Sequence, residues 1–367
     1  MRYSILFLAT AAVLAVLPAV GRADFQIGGG SAPGMGKAGL AIPYTLAGSG
    51  KMNPAAYGLL DGKLKFSWPS FRFRLQGINF SDLEDFNGTV GDGGFDQNEL
   101  SRLARQFGDD SIEFGAGADV ALSFGGFAFS FSGDGHAFTR PNADLRGWVQ
   151  SGSAGAPPLS SRLDAYGVAG YEFGVAYGRR IRSKEWGGIS VGARAKFVRT
   201  YYSHQFVTGT DIATNGGGRP APEMGGQDVL DETGFGLDLG VIASREKDRG
   251  WFYGATIDNL MVPNVKFSAT DPLGAPGESK PYKRAFNLGS GYLIPDRGYI
   301  ALDWADLGNG AGKQELRMGG EYWVTRGFAV RAGYASRVGY SVGVGLGGFN
   351  FAYSRNLPGQ FSYSLKF

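Results

Sequence analysis

Two histidines, His136 and His204, supply all the imidazole in this chain of 367 residues, and it has no cysteine. That excludes a thiolate nucleophile, a disulfide framework, a cysteine zinc cluster and a lipid-bearing cysteine. Ser203 beside His204 offers the residue types of a nucleophile and its base. Neighbours on a strand point to opposite faces, however, so these two cannot meet. Gly34-Met35-Gly36-Lys37-Ala38-Gly39 matches G-x-G-x-x-G in letters only, because a dinucleotide loop needs a strand before it and a helix after it. A Walker loop fails too, since Ser31 stands at its first glycine and Ala38 follows the lysine. Asp109-Asp110 and the group Asp228, Asp231 and Glu232 place carboxylates in loops without a spacing that selects a metal. No catalytic set, metal site or cofactor is expected.

The other ionisable residues show a different pattern. Arg72, Arg74, Glu113, Asp119, Glu172, Arg194, Lys196, Asp238, Asp258, Asp303, Glu315, Arg317, Glu321 and Arg331 all fall within stretches where polar and apolar residues alternate. Their partners in alternation are large and apolar, among them Phe114, Val120, Phe124, Phe127, Phe129, Phe131, Tyr171, Phe173, Val175, Phe235, Leu237, Leu239, Val330, Phe349 and Phe351. A period of two means strands with one greasy face and one charged face. The charged face carries both signs in near balance, which points to a salt-bridged, largely filled interior rather than an ion-selective pore.

Fourteen strands are expected, over 63–75, 112–124, 127–133, 163–179, 187–206, 231–244, 250–260, 283–293, 297–305, 314–324, 327–335, 338–346, 348–355 and 359–367. The connections alternate between long ones (76–111, 134–162, 207–230, 261–282) and short ones such as Gly125-Gly126. A membrane barrel sorts its connections in this way, with tight turns on the periplasmic side and long loops outside. A soluble sandwich has no such reason. One helix is expected, in the first long loop: Asp96 to Glu99 form a capping box, Leu100, Leu103 and Phe107 share a face, and Gly108 closes the end. One short helix cannot cover so much apolar sheet, so hydrocarbon is the expected solvent for it. The fold class is an all-β, single antiparallel transmembrane barrel of about fourteen strands, with an N-terminal plug and one short loop helix.

Both chain ends agree with this. Phe361, Tyr363, Leu365 and Phe367 alternate with polar residues up to the final carboxylate, resembling the C-terminal signature by which the barrel assembly machinery recognises outer-membrane barrels. At the other end, Arg2, the apolar run Ile5 to Val20 and Gly21-Arg22-Ala23 read as a signal peptide over 1–23, cut after Ala23. The formal net charge of +3 is too small for a nucleic-acid surface. The expected location is the outer membrane, in contact with lipid and lipopolysaccharide.

Residues 24–62 are glycine-rich and apolar without alternation, and are expected to plug the barrel formed by 63–367. Gly34-Met35-Gly36-Lys37-Ala38-Gly39-Leu40-Ala41 followed by Lys51-Met52-Asn53-Pro54-Ala55 resembles the N-terminal hatch of FadL-like barrels. That superfamily includes fatty-acid transporters, PorV-type secretion proteins and TraF-like conjugal transfer proteins. Gly236-Leu237-Asp238-Leu239-Gly240-Val241 with Ala255-Thr256-Ile257-Asp258-Asn259-Leu260 resembles its PorV-like and TraF-like members. So does Gly319-Gly320-Glu321-Tyr322-Trp323 leading to Val330-Arg331-Ala332-Gly333-Tyr334. Strand one departs from simple alternation. Leu64, Phe66 and Trp68 face one way, then Phe71, Phe73 and Leu75 continue after Pro69, so a bulge is expected at Pro69-Ser70.

The resemblance implies three functions, all left open here. One is passive transport of a hydrophobic small molecule, with Leu100, Leu103 and Phe107 outside and Asn53, Pro54, Ala55, Arg72 and Arg74 within as contacts. A second is docking or assembly in a conjugation or secretion apparatus, through a protein partner. A third is a structural barrel.

Overall fold

Alternating side chains that must separate hydrocarbon from a polar interior can do so only as strands whose backbone groups are all paired laterally. The computed structural model describes residues 35, 38–42, 52–60, 64–76, 113–151, 158–181, 188–208, 225–226, 230–246, 249–265, 282–310, 314–325, 327–337, 339–346, 349–354 and 357–363. The first strands are β1 (Lys65–Gln76), β2 (Glu113–Phe124), β3 (Phe127–Pro141), β4 (Arg162–Ile181) and β5 (Ile189–Thr208). A two-residue strand, β6 (Gly225–Gly226), hangs on β5. Then come β7 (Leu230–Ser244), β8 (Gly250–Met261), β9 (Ala285–Ile294), β10 (Gly298–Ala305) and β11 (Glu315–Thr325). The last are β12 (Phe328–Ala335), β13 (Gly339–Leu346), β14 (Phe349–Ser354) and β15 (Leu357–Tyr363).

Setting β6 aside, fourteen strands pair in chain order, each antiparallel to the next. The first and last strands lie alongside each other, although no ladder joins them among the described residues. The architecture is a β-barrel. No helix among the described residues is long and apolar enough to cross a membrane. Facing follows the pleat, as the alternation of buried and exposed residues shows along β10 from Tyr299 onward and along β13 from Tyr340 onward. Phe131, Phe173, Phe235, Leu302 and Val344 are exposed on one side, while Asp119, Glu172, Asp238 and Asp303 are buried on the other.

Three departures from the sequence expectations have local causes. The third strand continues to Pro141 instead of stopping at 133. Gly133-Asp134-Gly135 looks like a turn, but it is flanked by full ladders to β2 and β4, and lateral pairing overrides the local signal. The second long connection holds an unexpected helix, α1 (Ala143–Gln150). Asn142 caps it, accepting from Leu145 N at 2.9 Å, and Leu145 and Trp148 are buried. The helix expected around Leu100, Leu103 and Phe107 lies outside the described residues, as do the signal segment 1–23 and Phe367. His136, which the expected connection 134–162 would hold, occupies a strand position on β3.

Register shifts interrupt four ladders among the described residues, and those on β1 and β8 bear on the lumen. On β1 the register shifts between Ser67, opposite Ala121, and Ser70, opposite Asp119, so one extra residue falls at Pro69. On β8, Ile257 faces Leu239 and Met261 faces Leu237, so Asp258 to Leu260 bow out of register. Asn259 takes a left-handed φ of 52° there, a conformation asparagine tolerates better than most residues.

Candidate functional site

The described interior is occupied in three layers, which follow one another from the short-turn end toward the long loops. The first layer is the N-terminal segment. Pro54–Leu59 forms one 3₁₀ stretch that starts at Asn53, whose side chain accepts from Ala55 N at 3.1 Å. The same side chain donates to Val241 O at 3.1 Å, and Ser190 Oγ donates to Ala55 O at 2.6 Å. Farther back, the Asp303 carboxylate accepts from Gly39 N at 2.6 Å and Leu40 N at 2.9 Å. Two orphan amides thus find a charged acceptor on β10.

The wall is shaped to receive this segment. Gly178, Gly192 and Gly240 are consecutive cross-strand partners on β4, β5 and β7, and Gly254 pairs with Gly289 on β8 and β9. A Cβ at Gly178 would meet Pro54 O at 2.8 Å, one at Gly240 would meet Pro54 Cδ at 2.9 Å, and one at Gly289 would meet Leu40 Cβ at 2.9 Å. The missing side chains form a shallow track into which Met35, Ala41, Ile42, Ala55 and Leu59 pack, together with Phe252 and Tyr299 of the wall.

The second layer is ionic. Arg194, 1% exposed, pairs with Glu172 through one nitrogen and approaches Asp238 Oδ2 at 3.4 Å through another. Lys196 Nζ lies 2.7 and 2.8 Å from the two Asp238 oxygens. Asp238 also accepts the bulge amide, Asn259 N, at 2.7 Å. Asp258 accepts from Asn287 Nδ2 at 2.8 Å, and Asn287 Oδ1 accepts from Asp306 N at 2.8 Å. Across the barrel, Arg331 pairs with Glu321, whose other oxygen accepts from Trp323 Nε1. Arg317 pairs with Glu315 at 2.6 Å. Each of these charges has an opposite charge or a donor beside it, which an ion held away from water requires.

The third layer is apolar: Val168, Val198 and Tyr202 from β4 and β5 pack against Val265 and Tyr282, from the two ends of the connection between β8 and β9. Burial raises the Tyr282 phenol above the ordinary tyrosine range, partly offset by Thr200 and Arg194. Burial likewise pushes the Tyr57 phenol in the first layer up to about 12, against a smaller lowering by Arg194.

The sequence-derived candidates divide as follows. Asn53, Pro54 and Ala55 are together in the first layer. Glu172, Arg194, Lys196, Asp238 and Asp258 come together in the second, with Asp303 under the N-terminal segment and Glu315, Arg317, Glu321 and Arg331 on the opposite wall. Asp119 is buried on β2, in one cross-strand row with Ser132 and Glu172. Arg72, Arg74 and Glu113 occupy positions on β1 and β2, opposite Gly117, Gly115 and Gln76. Sequence reasoning missed Tyr57, Asn287, Val265 and Tyr282, which no alternation marks. It also missed the meaning of Asn259, although the Asp-Asn-Leu triplet was visible. The charge of Asp238 and the bulge at Asn259 form one device, and their shared motif records it.

Comparison with known proteins adds the following. A family model described as "F plasmid transfer operon, TraF, protein" matches residues 82–341. No curated protein sequence matches the chain. Among solved structures, a TodX monoaromatic hydrocarbon channel carrying the deltaS2S3 mutation superposes with a TM-score of 0.51 at 13% identity, over 94% of this chain and 100% of that one. The deltaS2 mutant of the same channel gives 0.51 at 13% identity, over 93% and 97%. A Pseudomonas aeruginosa FadL homologue gives 0.45 at 14%, over 92% and 95%. At such identities the two TodX structures establish the fold alone. The family match spans most of the chain and rests on sequence. The protein therefore belongs to the family described as F plasmid transfer operon TraF protein, and its β-barrel fold is that of the TodX channel structures.

Proposed function

We propose that this protein is an exported outer-membrane barrel that lets an apolar small molecule pass without an energy source. The observation that carries this reading is the layering of the lumen. An apolar cluster lies toward the long loops, above an ionic floor, and the N-terminal segment closes the short-turn end. An apolar guest can replace the Val168, Val198, Tyr202 and Tyr282 contacts with like surface, whereas an ion would lose its hydration there. The Pro69 bulge of β1 supports a sideways exit toward the bilayer, because the ladder is interrupted at that point. Structural neighbours that bear the name of monoaromatic hydrocarbon channels support the same class of cargo. In this reading the segment 1–23 is the cleaved export signal and residues 24–62 are the plug.

Membership of the TraF family favours a second reading, in which the long loops dock a protein of a conjugation or secretion apparatus and nothing crosses. Native mass spectrometry of the detergent-purified protein separates the two. Transport predicts a co-purifying apolar ligand that is lost in Tyr202→Ala and in Val198→Asp variants that still fold. A ligand-free barrel with a stoichiometric protein partner would establish docking instead.

A further inference from the structure

We propose that Asp238 is a positioning residue that couples the stem of the β8–β9 loop to the N-terminal segment, so that the two ends of the lumen are held by one group. This goes beyond the transport reading and does not depend on it. Two chain segments enter the lumen from opposite ends and approach one row of wall residues from either side. Ala176, Arg194 and Asp238 are consecutive cross-strand partners on β4, β5 and β7. From the short-turn side, Tyr57 packs on Ala176 and feels the Arg194 charge. From the loop side, a Cβ at Gly236 would meet Pro263 Cγ at 2.9 Å and Lys196 Cε at 2.8 Å, so the loop stem lies directly over Lys196.

Asp238 reaches the loop stem directly and the inner segment through Arg194. Its carboxylate holds Lys196, faces Arg194, and accepts the Asn259 amide at the point where β8 leaves the wall. Asn259 Nδ2 in turn donates to Lys283 O at 2.8 Å, and Arg284 Nη2 donates to Leu260 O at 2.9 Å, so both arms of the loop stem are tied to the bulge. One layer of side chains separates Pro263 from Tyr57. If the stem is released, Asn259 withdraws from Asp238, the carboxylate follows Lys196 or Arg194, and the guanidinium beneath Tyr57 shifts with it. Coupling through a shared, fully buried charge is the kind that two bound segments can both bias.

The absence of native cysteine makes the test clean. Ala55→Cys reports the inner segment and Val265→Cys the outer stem, both at buried positions, with maleimide labelling rates read on the full-length protein in detergent and in liposomes. Arg284→Ala perturbs only the exposed stem. It is expected to speed labelling at Val265→Cys and also at Ala55→Cys, each by at least about 5-fold, the lower end of ordinary coupling. Asp238→Ala is expected to do the same, with Asp238→Asn taking its place if the alanine variant loses the heat-dependent gel mobility of a folded barrel. Acceleration at Val265→Cys alone under Arg284→Ala means local fraying and overturns the coupling. No acceleration at either site overturns it as well. Labelling uses no cargo, so a negative transport assay leaves this result standing, and the reverse also holds.

Discussion

Each buried charge in this lumen has a partner, and that determines what single substitutions do. Glu321 serves two donors at once, Arg331 and Trp323 Nε1. Glu321→Ala leaves the arginine uncompensated and is expected to cost about 3–5 kcal/mol, the usual penalty for stranding one member of a buried pair. Glu321→Gln keeps the volume and one acceptor oxygen but turns its amide NH2 toward the other donor, so it retains one of the two hydrogen bonds and is expected to cost less than the alanine. Urea unfolding followed by tryptophan emission measures the difference. Tyr57 gives a pH signature of opposite sense to acid denaturation. Burial pushes its folded pKa from the ordinary tyrosine value of 10.0 up to about 12, so the folded state keeps a proton that the unfolded chain gives up. The corresponding stability is complete below about pH 10 and is lost as pH rises toward 12. Unfolding midpoints measured across that window are expected to fall more steeply for the parent than for Tyr57→Phe. Equal slopes would remove Tyr57 from the account.

Strands here are two-faced, and each face has its own tolerance. Leu302 on β10 is exposed on the outer face, so in a bilayer Leu302→Arg is expected to destabilise the barrel by about 2–4 kcal/mol. Folding yield into liposomes against denaturant measures this. On the inner face the critical feature is absence of bulk. Gly192 lies against the Pro54 carbonyl and the Ala55 amide, closer than any Cβ can approach. Gly192→Leu is therefore expected to unseat Asn53–Leu59 while leaving the β4–β5–β7 ladders intact. Faster labelling of Ala55→Cys without loss of folded gel mobility is the expected outcome. A glycine-rich composition was evident from the sequence, and 62 glycines without a collagen repeat had no assigned purpose. The fold supplies one for several of them: they are the side of the wall on which another stretch of backbone lies.

At the scale of the whole molecule, alternation and connection length carried the architecture. Fourteen stretches of period-two residues, linked by loops long and short in turn, can bury their charges and expose their aromatics only by curving into one sheet around an interior. Hydrocarbon outside and ions inside leave no other arrangement, so strand positions and facing were readable from residues such as Phe173 and Glu172 taken side by side. Pro69 showed in the same way, because a parity change within one strand requires a bulge wherever it occurs. Other features were not local. Gly133-Asp134-Gly135 reads as a turn and is strand, since only β2 and β4 on either side determine it. That Asp303 holds Gly39 and Leu40 across 264 and 263 positions of chain could not be inferred from spacing. Nor could the meeting of Val265, Tyr282, Val168 and Tyr202, for no periodic signal marks residues that enter a lumen from a loop. Periodicity reports which side of a strand faces the nonpolar solvent, and the sequence determined that much. Which inward side chains meet is fixed by register between distant strands and by the path of segments inside them, and only the tertiary structure decides it.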